Sequence, residues 1–173
     1  MNKFFLATLV MFAVCSSCLA ATQVRVSDLD VDEFYRTYNN IAANANKNNF
    51  SFNEFPTKAM SNEIYDTYVA TCGSHGHAIA VGLFANKEGQ VSKITLSFDG
   101  NDELSNTSSA NVFIIVLATL GMSKQEATAL LQDMREKNPV NHFCAASKRF
   151  IVVDFSEDNT SGVVNIRLTA AVN

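Results

Sequence analysis

The chain has 173 residues, 47% of them hydrophobic, with 13 Lys and Arg against 17 Asp and Glu and a formal net charge of −4. An acidic chain with no basic stripe is not built for nucleic acid or an anionic membrane surface. Its length suits one core, or two fused half-cores.

Lys3, the apolar run Phe4 to Val14 and the small residues of Cys18-Leu19-Ala20 read as a secretory signal over residues 1–20. The run falls short of the ~20 apolar residues of a spanning helix, and no later stretch reaches that length. The expected product is exported, periplasmic or secreted. Cys18 offers a lipid anchor as the lesser alternative, because a Cys rather than a branched aliphatic precedes it by three. Residues 21–173 then form one compact domain in which 12 basic residues face 17 acidic ones, a net of −5. Only Cys72 and Cys144 remain. In an oxidising compartment two thiols pair, so one disulfide is expected, worth about 4 kcal/mol for so long a loop.

Gln23 to Val26 suits an edge strand, and Asp30 or Asp32 can cap a helix with Val31, Phe34, Tyr38 and Ile41 on one face. The helix ends in the run Asn44 to Asn49. Phe50, Phe52 and Phe55 alternate with polar residues up to Pro56, as a short strand or an aromatic loop. Glu63 to Cys72, His77 to Ala85 and Val91 to Phe98 read as strands, the last two joined by Asn86-Lys87-Glu88-Gly89, which suits a type I turn with a left-handed Gly. Leu104 to Ser123 carries no charge, and its centre Val112 to Leu117 is apolar on all sides, as in a fully buried helix. Ser123 and Glu126 form a capping box for a further helix that stops before Pro139. Phe143 to Phe155 and Gly162 to Val172 close the chain as a second hairpin. The prediction is an α+β fold, with about five antiparallel strands in two hairpins and about three helices on one face.

The hairpins echo each other. Cys72, Ile79, Val81, Leu83, Val91, Ile94 and Leu96 are matched 72 residues on by Cys144, Ile151, Val153, Phe155, Val163, Ile166 and Leu168. Any two half-buried hairpins share alternation, and Phe34 and Tyr38 fall on Asn106 and Ala110, so the repeat is at most degenerate. The run Gly121-Met122-Ser123-Lys124-Gln125-Glu126-Ala127-Thr128-Ala129-Leu130-Leu131 resembles the second-helix signature of small exported domains such as outer-membrane assembly lipoproteins and secreted β-lactamase inhibitors. The Gly-x-Pro that closes that signature is absent, since Gln132-Asp133-Met134 continues the helix.

All three histidines flank the cysteines in sequence, and a bridge would gather His75, His77 and His142 as neutral imidazole ligands for zinc or copper. Set against this, His75 sits in a polar loop and no carboxylate adjoins the histidines in sequence. Cys72 or Ser74 beside a histidine would be the nucleophile of a small hydrolase, without an elbow motif or an evident orienting acid. Asp99, Asp102 and Glu103 fall in a turn where acids ordinarily solvate a loop. Without Trp, most Phe and Tyr must fill the core, and the segment holding Phe50, Phe52 and Phe55 is the candidate exposed patch. The leading expectation is a non-catalytic exported module, a binding protein or inhibitor that works by protein contacts and needs no cofactor. A zinc- or copper-binding protein is the alternative and a small hydrolase comes third. The uncharged helix around Ile114 could also meet a second copy of the chain as a homodimer.

Overall fold

A computed structural model describes residues 25–73 and 77–171. The signal segment 1–20 with Cys18, the residues Gln23 and Val24 of the edge strand, and Ser74 and His75 lie outside the described residues.

Each helix starts where a short polar side chain can take up a free backbone N–H. Asp30 caps helix α1 (Val31–Asn44) in a reciprocal box with Glu33. Asp102 caps helix α2 (Glu103–Thr119), and Ser123 caps helix α3 (Lys124–Glu136) in a second box with Glu126. Helix α2 is buried at Val112, Phe113, Ile115, Val116 and Leu117, but Ile114 is 45% exposed. The expectation of burial on every face is corrected there: a helix lying on a sheet keeps one side open however apolar its sequence.

Among the described residues the strands are β1 (Thr57–Ser61), β2 (Asp66–Cys72), β3 (Ile79–Ala85), β4 (Val91–Asp99), β5 (Val140–Cys144), β6 (Arg149–Asp158) and β7 (Val163–Ala170). They form one antiparallel sheet in the order β1-β2-β3-β4-β7-β6-β5. Seven strands replace the expected five for two local reasons. Strand β1 is exposed along its whole length and so carries no alternation to read. Phe143 to Phe155 is two strands, because the chain reverses through residues 145–148, with Lys148 at φ 53, a turn that no Gly or Pro announces. The turn after β3 is as expected: the Gly89 N–H donates to the Asn86 carbonyl at 2.9 Å and Gly89 takes φ 86. The N-terminal stretch pairs with the start of β4 through Ser27, Leu29 and Asp30.

The two halves meet at β4 and β7, where Thr95 lies opposite Arg167, flanked by Ile94 opposite Leu168 and Leu96 opposite Ile166. Thr95 and Arg167 are themselves 72 residues apart, and the register Ala80↔Ser97 recurs as Val152↔Thr169. Helices α1 and α2 also start 72 apart, each behind an Asp cap. The match is inexact, since Cys72 faces Ile79 whereas Cys144 faces Arg149, and α3 occupies the stretch of chain where the first half has β1.

Alternation sends Ile79, Val81, Leu83, Ile94, Leu96, Ile151, Val153 and Leu168 to the helix side, where they join Phe34, Tyr38 and Leu117 in one continuous core. The segment 50–55 is not a strand: a 3₁₀ turn (Asn48–Phe50) leads to a single bridge between Phe52 and Cys72. Phe52 is 5% exposed and packs 4.5 Å from the Tyr38 ring, whereas Phe55 is 47% exposed and lies edge-on to Tyr35. Phe52→Ala is therefore expected to cost about 3–5 kcal/mol in urea denaturation, and Phe55→Ala under about 1 kcal/mol. Equal losses would place both rings in the same environment.

Candidate functional site

The residues between the core positions of each strand are mostly half-buried or exposed, and among the described residues the helices pack on the opposite, core side of the sheet. Lys93, Thr95 and Ser97 of β4 stand beside Thr169, Arg167 and Asn165 of β7 in the middle of this open face. Ser97 Oγ donates to Asn165 Oδ1 at 2.6 Å, and Arg167 pairs with Asp154 of β6 at 3.6 Å. Lys93 Nζ lies 4.1 Å from the centre of the Phe84 ring, and Tyr65 meets that ring edge-on. Burial first, and the nearby Arg167 second, push the Lys93 ammonium below its ordinary value. On the far side, Phe143 and Phe150 face each other across β5 and β6 with centroids 5.1 Å apart, both well exposed. Met60 and Val69 add exposed apolar surface at the β1 edge. The face is thus a basic and polar middle between two aromatic groups, about three strand spacings or ~14 Å apart.

His77, just before β3, and Asp102, the cap of α2, meet at one end of the sheet. His77 Nδ1 lies 2.5 Å from Asp102 Oδ2, which also accepts from Ser105 Oγ at 2.6 Å and from the Ser105 N–H at 3.0 Å. The Ser105 hydroxyl, then His77, then the two backbone N–H groups hold the Asp102 carboxyl at about 2. The order Ser–Asp–His leaves the hydroxyl of Ser105, itself buried, on the acid instead of on the His77 imidazole, so His77 is not placed to act as its base. Asp102, read from sequence as a loop acid, is instead a helix cap and the partner of His77. A cap signal preceded the helix, but nothing in the sequence marked the histidine.

The expected gathering of histidines is corrected. His142 lies on β5 and His77 before β3, with three strands between, roughly 19 Å across the sheet. Among the described residues no three His, Cys, Asp or Glu side chains come together in a metal-binding group. His142 Nε2 is buried without a hydrogen-bond partner among the described residues, while the Glu126 carboxyl, whose own oxygens accept from Ala145 and Ser123, is held at about 2.

The expected disulfide is corrected as well. Both thiols are free and buried, because β2 and β5 are separated by four strands, roughly 24 Å, against the ~7 Å limit on Cα separation for a bridge. Cys144 Sγ donates to the Leu120 carbonyl at 3.6 Å. Burial pushes the Cys72 thiol up to about 12, with Tyr38 beside it, so it is no thiolate nucleophile at neutral pH. Of the expected aromatic patch, Phe52 belongs to the core, Phe50 is partly buried with its carbonyl accepting from the Tyr38 hydroxyl, and Phe55 alone is well exposed. Lys93, Arg167, Phe84, Phe143 and Phe150 escaped the sequence reading, although the alternation Lys93-Ile94-Thr95-Leu96 placed the cation opposite the core.

Compared with known proteins, the chain matches no family model, and no curated protein or solved structure is significantly similar to it.

Cys72 and Cys144 are expected to react with iodoacetamide only after unfolding and without prior reduction, as read from their peptides by mass spectrometry. A requirement for reductant would restore the bridge. The lowered Asp102 value means that its stabilisation is present above the ordinary 3.8 and is lost as pH falls through about 2. Asp102→Asn keeps a capping side chain, so its melting temperature should lie below that of the parent at neutral pH and rejoin it as the pH passes below about 2. A gap that persists in acid would deny the charge its role.

Proposed function

We propose that this chain is an exported, non-catalytic binding module that docks a protein partner on the open face of its sheet. The observation that carries the reading is the uncovered sheet with Lys93 and Arg167 between the Tyr65/Phe84 and Phe143/Phe150 groups. Large rigid rings provide contact area at little entropic cost, and two cations in an otherwise acidic protein favour a partner that presents carboxylates between apolar groups. Export rests on the leader with Lys3 and the run Phe4 to Val14. The shared registers support reading the two halves as a degenerate duplication in which two hairpins were joined edge to edge to make a sheet wide enough for such a surface.

A photo-crosslinking residue at Phe150 should trap one partner from the exported fraction, whereas the same residue at Thr107, exposed on α2, should not. The double reversal Lys93→Glu with Arg167→Glu should abolish the product while leaving the melting curve cooperative. Crosslinks from Thr107 alone, or a product indifferent to the reversal, would move the function away from this face.

A further inference from the structure

A second feature lies on the helix side, away from the docking face. Ser109, Ala110 and Phe113 of α2 and the C-terminal half of α3 border a cavity of about 360 Å³. Phe98, Phe113, Ile166 and Phe155 form its apolar floor, and Leu131 and Met134 of α3 form one wall. Phe155 is 41% exposed although it stands on the core side of β6, where Val153 and Ile151 are sealed. The chain itself indicates what is missing: helices α1 and α2 start 72 residues apart, and the positions that hold the buried Phe34 and Tyr38 in α1 hold Asn106 and Ala110 in α2. Ala110 lines the cavity.

Three polar side chains border this space, and two are already committed. Ser109 Oγ donates to the Asn106 carbonyl at 2.8 Å. The Asn138 amide exchanges two hydrogen bonds with the Phe155 backbone, at 2.6 and 2.9 Å. Arg135 has no hydrogen bond or ion pair among the described residues, and no carboxylate lines the cavity. The volume is at the lower end of the ~300–1,000 Å³ of small-molecule sites. The geometry points to a binding site for a single-chain anionic amphiphile, its alkyl chain on Phe113, Phe155 and Met134 and its acid group on the Arg135 guanidinium.

Dodecanoate, kept below its micelle concentration, should bind the protein saturably, shifting the Met134 and Ile166 methyl signals before others in NMR titration. Dodecanol should bind about tenfold more weakly, and Arg135→Gln should erase that difference, because only the charge-assisted bond is lost. Ala110→Phe, at an exposed helix position, should block both ligands with the cooperative melt intact. Absence of saturable dodecanoate binding, shifts centred elsewhere, or an unaffected Ala110→Phe variant would each overturn the proposal. None of these outcomes depends on Lys93 or Phe150, so the amphiphile site and the docking face stand or fall separately.

Discussion

The antiparallel ladder between β4 and β7 is the constraint on which the rest depends. Among the described residues it is the one strand pairing that joins β1–β4 to β5–β7, and its register determines both surfaces together. Ile94 against Leu168 and Leu96 against Ile166 close the centre of the core. The same pairing places Lys93, Thr95 and Arg167 on the opposite side. Side chains alternate with period two, so a slip of one residue would send the cations inward and the leucines out. Core and open face are therefore two readings of one register.

The helices complete the asymmetry. All three begin at residues whose side chains satisfy exposed N–H groups, and all pack on the same side of the sheet. The first half fills the space beneath its helix with Phe34, Tyr38 and Phe52, a packed set of rings whose one buried hydroxyl is spent on the Phe50 carbonyl. The second half has an apolar helix centre, with Ala110 bordering the cavity between α2 and α3. Sheets repeat more readily than the layers on them, because a ladder needs only backbone and alternation, whereas a core needs matched volumes.

Polar groups at the ends of the sheet serve the fold first. Asp102 spends its oxygens on Ser105, Leu104 and His77, and Glu126 on Ser123 and Ala145. Such carboxylates, held in their charged form by several donors, have structural work that excludes them as free acids or bases. The buried thiols are in a similar position: Cys72 sits beneath Tyr38 and Cys144 against a helix carbonyl, each behaving as a small apolar group. The open face, by contrast, carries exposed aromatic rings beside Lys93 over Phe84 and Arg167 paired with Asp154.

Much of this was legible in the chain itself. Capping residues at Asp30 and Ser123, the turn at Gly89, the apolar helical run Val112 to Leu117 and the alternation of the strands in both halves are local signals, each decided within a few residues by backbone geometry or periodicity. Strand β1 and the division between β5 and β6 were not, since an exposed edge has no pattern and the turn at Lys148 has no glycine. The cysteines and histidines show the limit most plainly: proximity in sequence and the arithmetic of pairing drew them together, and strand order set them apart. That order, β1-β2-β3-β4-β7-β6-β5, is a choice among long-range pairings that local sequence does not encode. It alone decided that Cys72 and Cys144 stand on separate strands with β3, β4, β7 and β6 between them and that Lys93 stands near Arg167 on the open face.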